Sequence, residues 1–112
     1  MGADVMGIEP GIHGQAGSQR FGVPVVRDFF PSSKVSRSFD IITAFFVLEH
    51  LRDVQNFLMN IREHLKNDGI LFLSVPDCEP YLAHGDISFL FHEHWNYFTE
   101  QSLYAVLTQI LG

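Results

Sequence analysis

In the first part of the chain, short apolar runs alternate with connectors bearing glycine and proline; helical spacing appears only later. Residues 4–9 (Asp-Val-Met-Gly-Ile-Glu) form an apolar run that ends on an acid, which predicts a strand weakened by Gly7. Pro10 stands where a first helical turn tolerates it, but Gly11, Gly14 and Gly17 follow. Each glycine costs about 1 kcal/mol inside a helix, so this segment is predicted as a loop or a poor helix. Residues 23–27 predict a second strand, held at a sheet edge or starting there because Pro24 has no amide hydrogen for a ladder. Residues 29–34 have the composition of a connecting loop.

Residues 39–47 are apolar on both alternating faces apart from Asp40, the pattern of a central parallel strand covered on both sides. Val54, Phe57, Leu58, Ile61 and Leu65 then recur at helical spacing. Asp53 suits the start of that helix, Lys66 its last turn and Gly69 its C-cap. Residues 70–75 predict another buried strand, stopped by Pro76. Beyond Pro80 the periodicity breaks into a stretch dense in aromatics and histidines, up to Phe98. Residues 100–111 resume as an amphipathic helix with Leu103, Val106, Leu107 and Ile110 inward. Alternating strands and helices predict an α/β fold with a parallel sheet, whose ligands sit beyond the carboxyl ends of the strands.

Composition narrows the partners. With 112 residues, 46% of them apolar, the chain has room for one packed domain and is not a disordered segment. Seven basic against thirteen acidic residues, a net charge of −6, argue against a nucleic-acid partner. Its apolar runs fall short of the ~20 residues that span a bilayer, so no membrane role is expected. The lone Cys78 excludes an internal disulfide and suits a reducing cytoplasm, the expected location.

Glu9 closes the first strand, where a carboxylate accepts hydrogen bonds from a ribose diol or instead caps the next helix. Asp28, beside Phe29, ends the second strand: together they suit an adenine amino group and ring face, or are a turn aspartate beside a core phenylalanine. Their functional reading requires Glu9 and Asp28 to end adjacent strands. His50 lines a cleft or bonds a backbone carbonyl where the next helix begins. The densest chemistry is Phe91-His92-Glu93-His94-Trp95, where imidazoles titrating near neutrality and a carboxylate suit acid–base work. A metal would need a third ligand from His84, Asp86 or Cys78, and no metal spacing motif is present, so no metal is assigned. The spaced glycines lack the order of a phosphate-binding loop.

Taken in order, Gly7-Ile8-Glu9-Pro10, Asp28-Phe29-Phe30, Phe39-Asp40-Ile41-Ile42, Val47-Leu48-Glu49-His50-Leu51 and Leu65-Lys66-Asn67-Asp68-Gly69-Ile70-Leu71 resemble class I S-adenosylmethionine-dependent methyltransferases over nearly the whole chain. The resemblance implies a Rossmann-like parallel sheet and S-adenosylmethionine as cofactor. It implies that Glu9, followed by Pro10, meets the ribose hydroxyls, that Asp28 and Phe29 flank the adenine, and that Ala44, Phe45 and Phe46 lie near the methionine portion. Residues 92–98 (His-Glu-His-Trp-Asn-Tyr-Phe) are similar to a Tyr-His-Glu-His segment of C-methyltransferases acting on nucleotide-linked keto-deoxysugars. Carried over, His94 is the base that deprotonates the carbon beside a ketone, supported by Glu93 and His92, while Phe91 stands where that family has tyrosine.

The family's first strand with its glycine-rich turn, its last two strands and the zinc domain of the sugar enzymes have no counterpart in these residues. Residues 1–112 are therefore expected to be a partial methyltransferase domain, an internal piece holding the second to fifth strands and the following helix. Such a piece is expected to bind cofactor weakly or not at all alone, and its open sheet edges invite self-association. The alternatives are a non-catalytic methyltransferase-like interaction module and a piece of a nicotinamide-dependent dehydrogenase.

Overall fold

The computed structural model describes residues 2–90 and 93–112. It is an α/β chain whose elements run β1 (Gly7–Ile8), α1 (His13–Phe21), β2 (Val25–Val26), β3 (Phe39–Phe45), a 3-10 turn (Leu48–His50), α2 (Val54–His64), β4 (Leu65–Ser74), α3 (Glu79–His84) and α4 (Glu100–Leu111). Two compact units result, Met1–Ser36 and Arg37–Gly112.

In the first unit, β1 and β2 pair in parallel with Gly7 opposite Val25 and Ile8 opposite Val26. The Gly7 amide donates to the Pro24 carbonyl at 2.9 Å, so Pro24 serves the ladder through its acceptor alone. The segment expected to be a loop or poor helix is helical from His13 to Phe21. Its glycines explain how. A Cβ on Gly14 would lie 2.8 Å from Glu9 Cβ and 2.9 Å from Val25 Cγ1, so the missing side chain lets α1 lie against the strands. Gly22, at φ 66°, then ends the helix in the left-handed region, and its amide donates to the Ser18 carbonyl at 2.8 Å. Tertiary fit overrides the propensity penalty.

In the second unit, β3 and β4 pair in parallel with a regular register from Ile41 opposite Ile70 to Phe45 opposite Ser74. The helix between them is the one predicted: Asp53 caps α2, its carboxylate accepting from the Asn56 amide at 2.9 Å. Its expected end is corrected. α2 stops at His64 with Leu65 already extended (φ −93°, ψ 130°), so Lys66 is not in its last turn and Gly69 is not its C-cap. Phe39 pairs with Leu65 and Ile41 with Ile70, so residues 66–69 bulge out of the ladder. In that bulge Lys66 Nζ bonds both Asp40 oxygens, at 3.0 and 2.9 Å. Both side chains are solvent-exposed, so the pair contributes about 0–1 kcal/mol.

Covering of β3 on both sides is also corrected. Ala44 is buried, whereas Ile41 and Phe45 on its opposite face, with Ile70 and Phe72 of β4, are each more than half exposed. The inner face meets the core instead, where Leu48, Leu58, Phe57, Ile61 and Ile110 are buried, and α2 packs on α4. Arg62 on α2 donates to the Ile110 carbonyl at 3.3 Å, satisfying an end of α4. At the other end Thr99 and Ser102 form a reciprocal capping box. A short helix, α3, occupies residues where the pattern read as broken. Its Pro80 lies in the first turn, and its length is too small for periodicity to register.

Among the described residues, no helix is long and apolar enough to cross a membrane.

Candidate functional site

Two sites are described, one in each unit. In the first, the ladder puts Glu9 and Asp28 just beyond the carboxyl ends of adjacent parallel strands, the geometry their functional reading requires. The Glu9 amide donates to the Val26 carbonyl at 3.0 Å and the Asp28 amide to the same carbonyl at 3.1 Å. Glu9 Oε1 accepts from the Gly11 amide at 2.9 Å, so this carboxylate organises the turn into α1. It also borders a cavity of about 310 Å³ together with Gly11, Gln15, Ser18, Val25 and Arg27. Pro10, exposed, sits between Glu9 and that turn.

Asp28 is more heavily engaged. Its Oδ1 accepts from the Phe29 amide at 2.8 Å and its Oδ2 from the Ser32 hydroxyl at 2.7 Å. The Ser32 hydroxyl and then the Phe29 amide hold the carboxyl below its ordinary value against an opposing desolvation, with a lesser contribution from the Lys34 ammonium. Phe29 is not a core phenylalanine: 72% of it is exposed, which leaves a ring face open to a flat ligand.

Ala44 and Phe45 close β3, and Phe46 follows it. Ala44 is buried while Phe45 and Phe46 are exposed. Phe46 sits at φ 55°, in the left-handed region that a bulky residue rarely adopts, with its amide donating to the Ser74 carbonyl at 2.8 Å. Such strain costs of order 1–3 kcal/mol and gathers at functional positions.

The second site is built by one loop docking on the 3-10 turn. The Trp95 and Asn96 amides donate to the Glu49 carbonyl at 2.8 and 3.2 Å. The Asn96 side-chain amide donates to the carbonyls of Leu48 at 3.0 Å and Leu51 at 2.6 Å. Both partners are acceptors, so the amide orientation is fixed. Arg52 lies 4.4 Å over the Trp95 ring, and the Cys78 amide donates to the Phe98 carbonyl at 2.9 Å. Pinned this way, His94 meets His50 edge-on, ring centroids 4.7 Å apart.

Sequence reasoning missed Glu49 and Asn96, and left His50 undecided. The signal for Glu49 was an acid directly after apolar Val47 and Leu48, just beyond the end of β3. Glu49 is only 3% exposed; its Oε1 lies 3.7 Å from His50 Nε2, and its Oε2 is buried with no hydrogen-bond partner. Glu93 is exposed, and it is its backbone carbonyl that meets His50 Nδ1, at 3.2 Å. His92 lies outside the described residues. Glu49 and His94 border a cavity of about 230 Å³ with Asp77, Cys78, Tyr81, Phe89 and Tyr97. A small molecule with polar groups fits such a mixed lining. Asp86, in the loop beyond α3, is held below its ordinary value by hydrogen bonds from the Ser88 amide and hydroxyl.

A family model described as a methyltransferase domain matches residues 2–110. It favours neither the dehydrogenase nor the non-catalytic alternative. No curated protein matches the chain.

Proposed function

The chain belongs to the methyltransferase domain family, and from that premise we propose that it serves methyl transfer from S-adenosylmethionine to a small polar acceptor, a nucleotide-linked keto sugar. The observation that carries the cofactor reading is the parallel pairing of β1 with β2, which brings Glu9 and Asp28 to neighbouring strand ends. In this reading Glu9 accepts from the ribose hydroxyls and Asp28 from the adenine amino group, with Phe29 against the ring. The turn of Pro10 and Gly11 keeps the Glu9 carboxylate in place.

Bound S-adenosylmethionine supplies an electrophilic methyl group on a sulfonium centre. Transfer of that group is an in-line displacement, so the protein's work is to position the reactants and remove a proton. His94, bordering the second cavity, is the residue for proton removal from the carbon beside the ketone. Glu93 and His92 flank it in sequence and support it in this reading.

Amide spectra recorded during titration with S-adenosylhomocysteine test the cofactor assignment. The Gly11 and Phe29 amides, which donate to the Glu9 and Asp28 carboxylates, should shift, and Glu9→Gln should suppress the response. Unmoved Gly11 and Phe29 signals at saturating ligand would overturn it. For the base, His94→Ala made in a full-length, catalytically active form of the enzyme should abolish transfer to a keto sugar nucleotide while leaving cofactor affinity nearly intact. Turnover that survives this substitution removes His94 from the role.

A further inference from the structure

We propose that Glu49, His50 and His94 form a binding site for a divalent transition-metal ion of the zinc or cobalt kind. The proposal stands apart from the cofactor reading, since it uses only the second unit. One candidate ligand atom from each residue lies within 4.8 Å of the others. A tetrahedral centre with bonds of about 2.0–2.2 Å spaces its ligands by roughly 3.4 Å. Small side-chain rotations therefore close the set.

Two independent features favour a cation here over a chance cluster. The first is Glu49, 3% exposed, whose Oε2 is buried without a hydrogen-bond partner. A buried carboxylate short of donors is costly, and a cation held by the Glu49 carboxylate offsets that cost. The second is the tautomer of His50. Its Nδ1 meets the Glu93 carbonyl at 3.2 Å, and a carbonyl only accepts, so Nδ1 carries the hydrogen. The Nε2 atom is then the one facing Glu49 Oε1, 3.7 Å away. A backbone carbonyl that fixes one imidazole nitrogen as the donor leaves the lone pair on the other, turned toward the cluster, and such an outer partner is common at metal-binding histidines.

The donor set, two imidazoles and one carboxylate, suits zinc, cobalt or iron rather than magnesium or calcium. With three protein ligands, the fourth position is left for water or a polar group entering from the adjoining cavity, which Glu49 and His94 border. Metal and proton compete for the His94 lone pair. Loading the site is therefore expected to suppress proton removal by that residue.

The test is titration of the tag-free, chelator-treated protein with Co²⁺, followed by visible absorption and metal analysis after desalting. The expected result is one ion per chain with the absorption of a low-coordinate cobalt site. Glu49→Gln and His94→Ala should each weaken binding by at least about tenfold, while His13→Ala leaves it unchanged. Absence of stoichiometric uptake overturns the proposal, as does uptake equal in wild type and both variants. Circular dichroism verifies that each variant is folded. Should Glu49→Gln fail that check, His94→Ala decides, because His94 is carried on a loop and is half-buried. None of these readings depends on S-adenosylhomocysteine, so failure here and failure of the cofactor titration are separate events.

Discussion

The two units solve the same problem, a parallel strand pair with a helix between, with unequal resources. In Arg37–Gly112 the strands β3 and β4 are long and the intervening helix α2 buries Phe57, Leu58 and Ile61. In Met1–Ser36 the strands have two residues each and α1 has no buried residue. The first unit's helix rests instead on the closeness that Gly14 permits and on the left-handed Gly22. Packing anchors one unit, whereas backbone geometry holds the other. Helical stability in proteins comes mainly from burial of an apolar face, so α1 should open far more readily than α2.

The largest effect should come from the well-packed unit. Leu58 is completely buried, and Leu58→Ala should cost about 2–5 kcal/mol by urea unfolding, with the loss felt in α2 and α4 amide exchange. If α1 exchange slowed or quickened equally, the two units would be one cooperative body and the contrast would fail.

Next is the docking of the aromatic loop. Asn96→Ala leaves the Leu48 and Leu51 carbonyls without their side-chain donor, a loss of about 1–3 kcal/mol. The His94 ring signals should broaden or move as the loop loosens, while α1 amides stay as they were.

The contrast sharpens within α1 itself. Gly17→Ala meets nothing within 4 Å, so it should stabilise the helix by about 1 kcal/mol, read from the exchange protection of α1 amides. Gly14→Ala gains the same propensity but drives a methyl into Glu9 and Val25, and should lower protection instead. Equal responses from the two glycines would show that α1 does not depend on close approach to its strands.

Smallest is an acid effect in the first unit. Hydrogen bonds from Ser32 and Phe29 lower the Asp28 carboxyl from its ordinary value. A folded-state value below the unfolded one adds stability that is present above the unfolded value and lost as pH falls through the folded one. Asp28→Asn should therefore flatten the acid limb of the pH–stability profile without changing it at neutral pH and above by more than its lost hydrogen bonds. The carboxylate is partly open to solvent, so the change is slight.

Legibility in the sequence tracked how local the cause was. Asp53 was readable as a cap because its partner, the Asn56 amide, is three residues away. β3, α2 and α4 were recognisable as elements because a continuous apolar run marks the first and a helical period the other two, each within its own residues. The end of α2 was not. Gly69 has the composition of a helix stop, but pairing of Leu65 with Phe39 draws the chain into β4 first. The expected double covering of β3 failed similarly: Ile41 and Phe45 are apolar, yet apolarity alone does not say which faces find a partner.

The candidate sites divide the same way. Glu9 and Asp28 announce themselves at strand ends, and only their adjacency awaited the β1–β2 register. The Glu49–His50–His94 cluster carried no spacing signal, since the contact of His50 with the His94 segment spans 43 residues in the chain. By itself the sequence determined the α/β class, the order of the four strands with the helices α2 and α4, and the residue types available for chemistry. These follow from side-chain period and local capping, which act over a few residues. The tertiary structure alone decided that Gly14 admits a helix, that β3 shows one face to solvent, and that a buried carboxylate stands beside two imidazoles. Those outcomes depend on which distant surfaces meet, and burial, not local preference, sets the energy of that meeting.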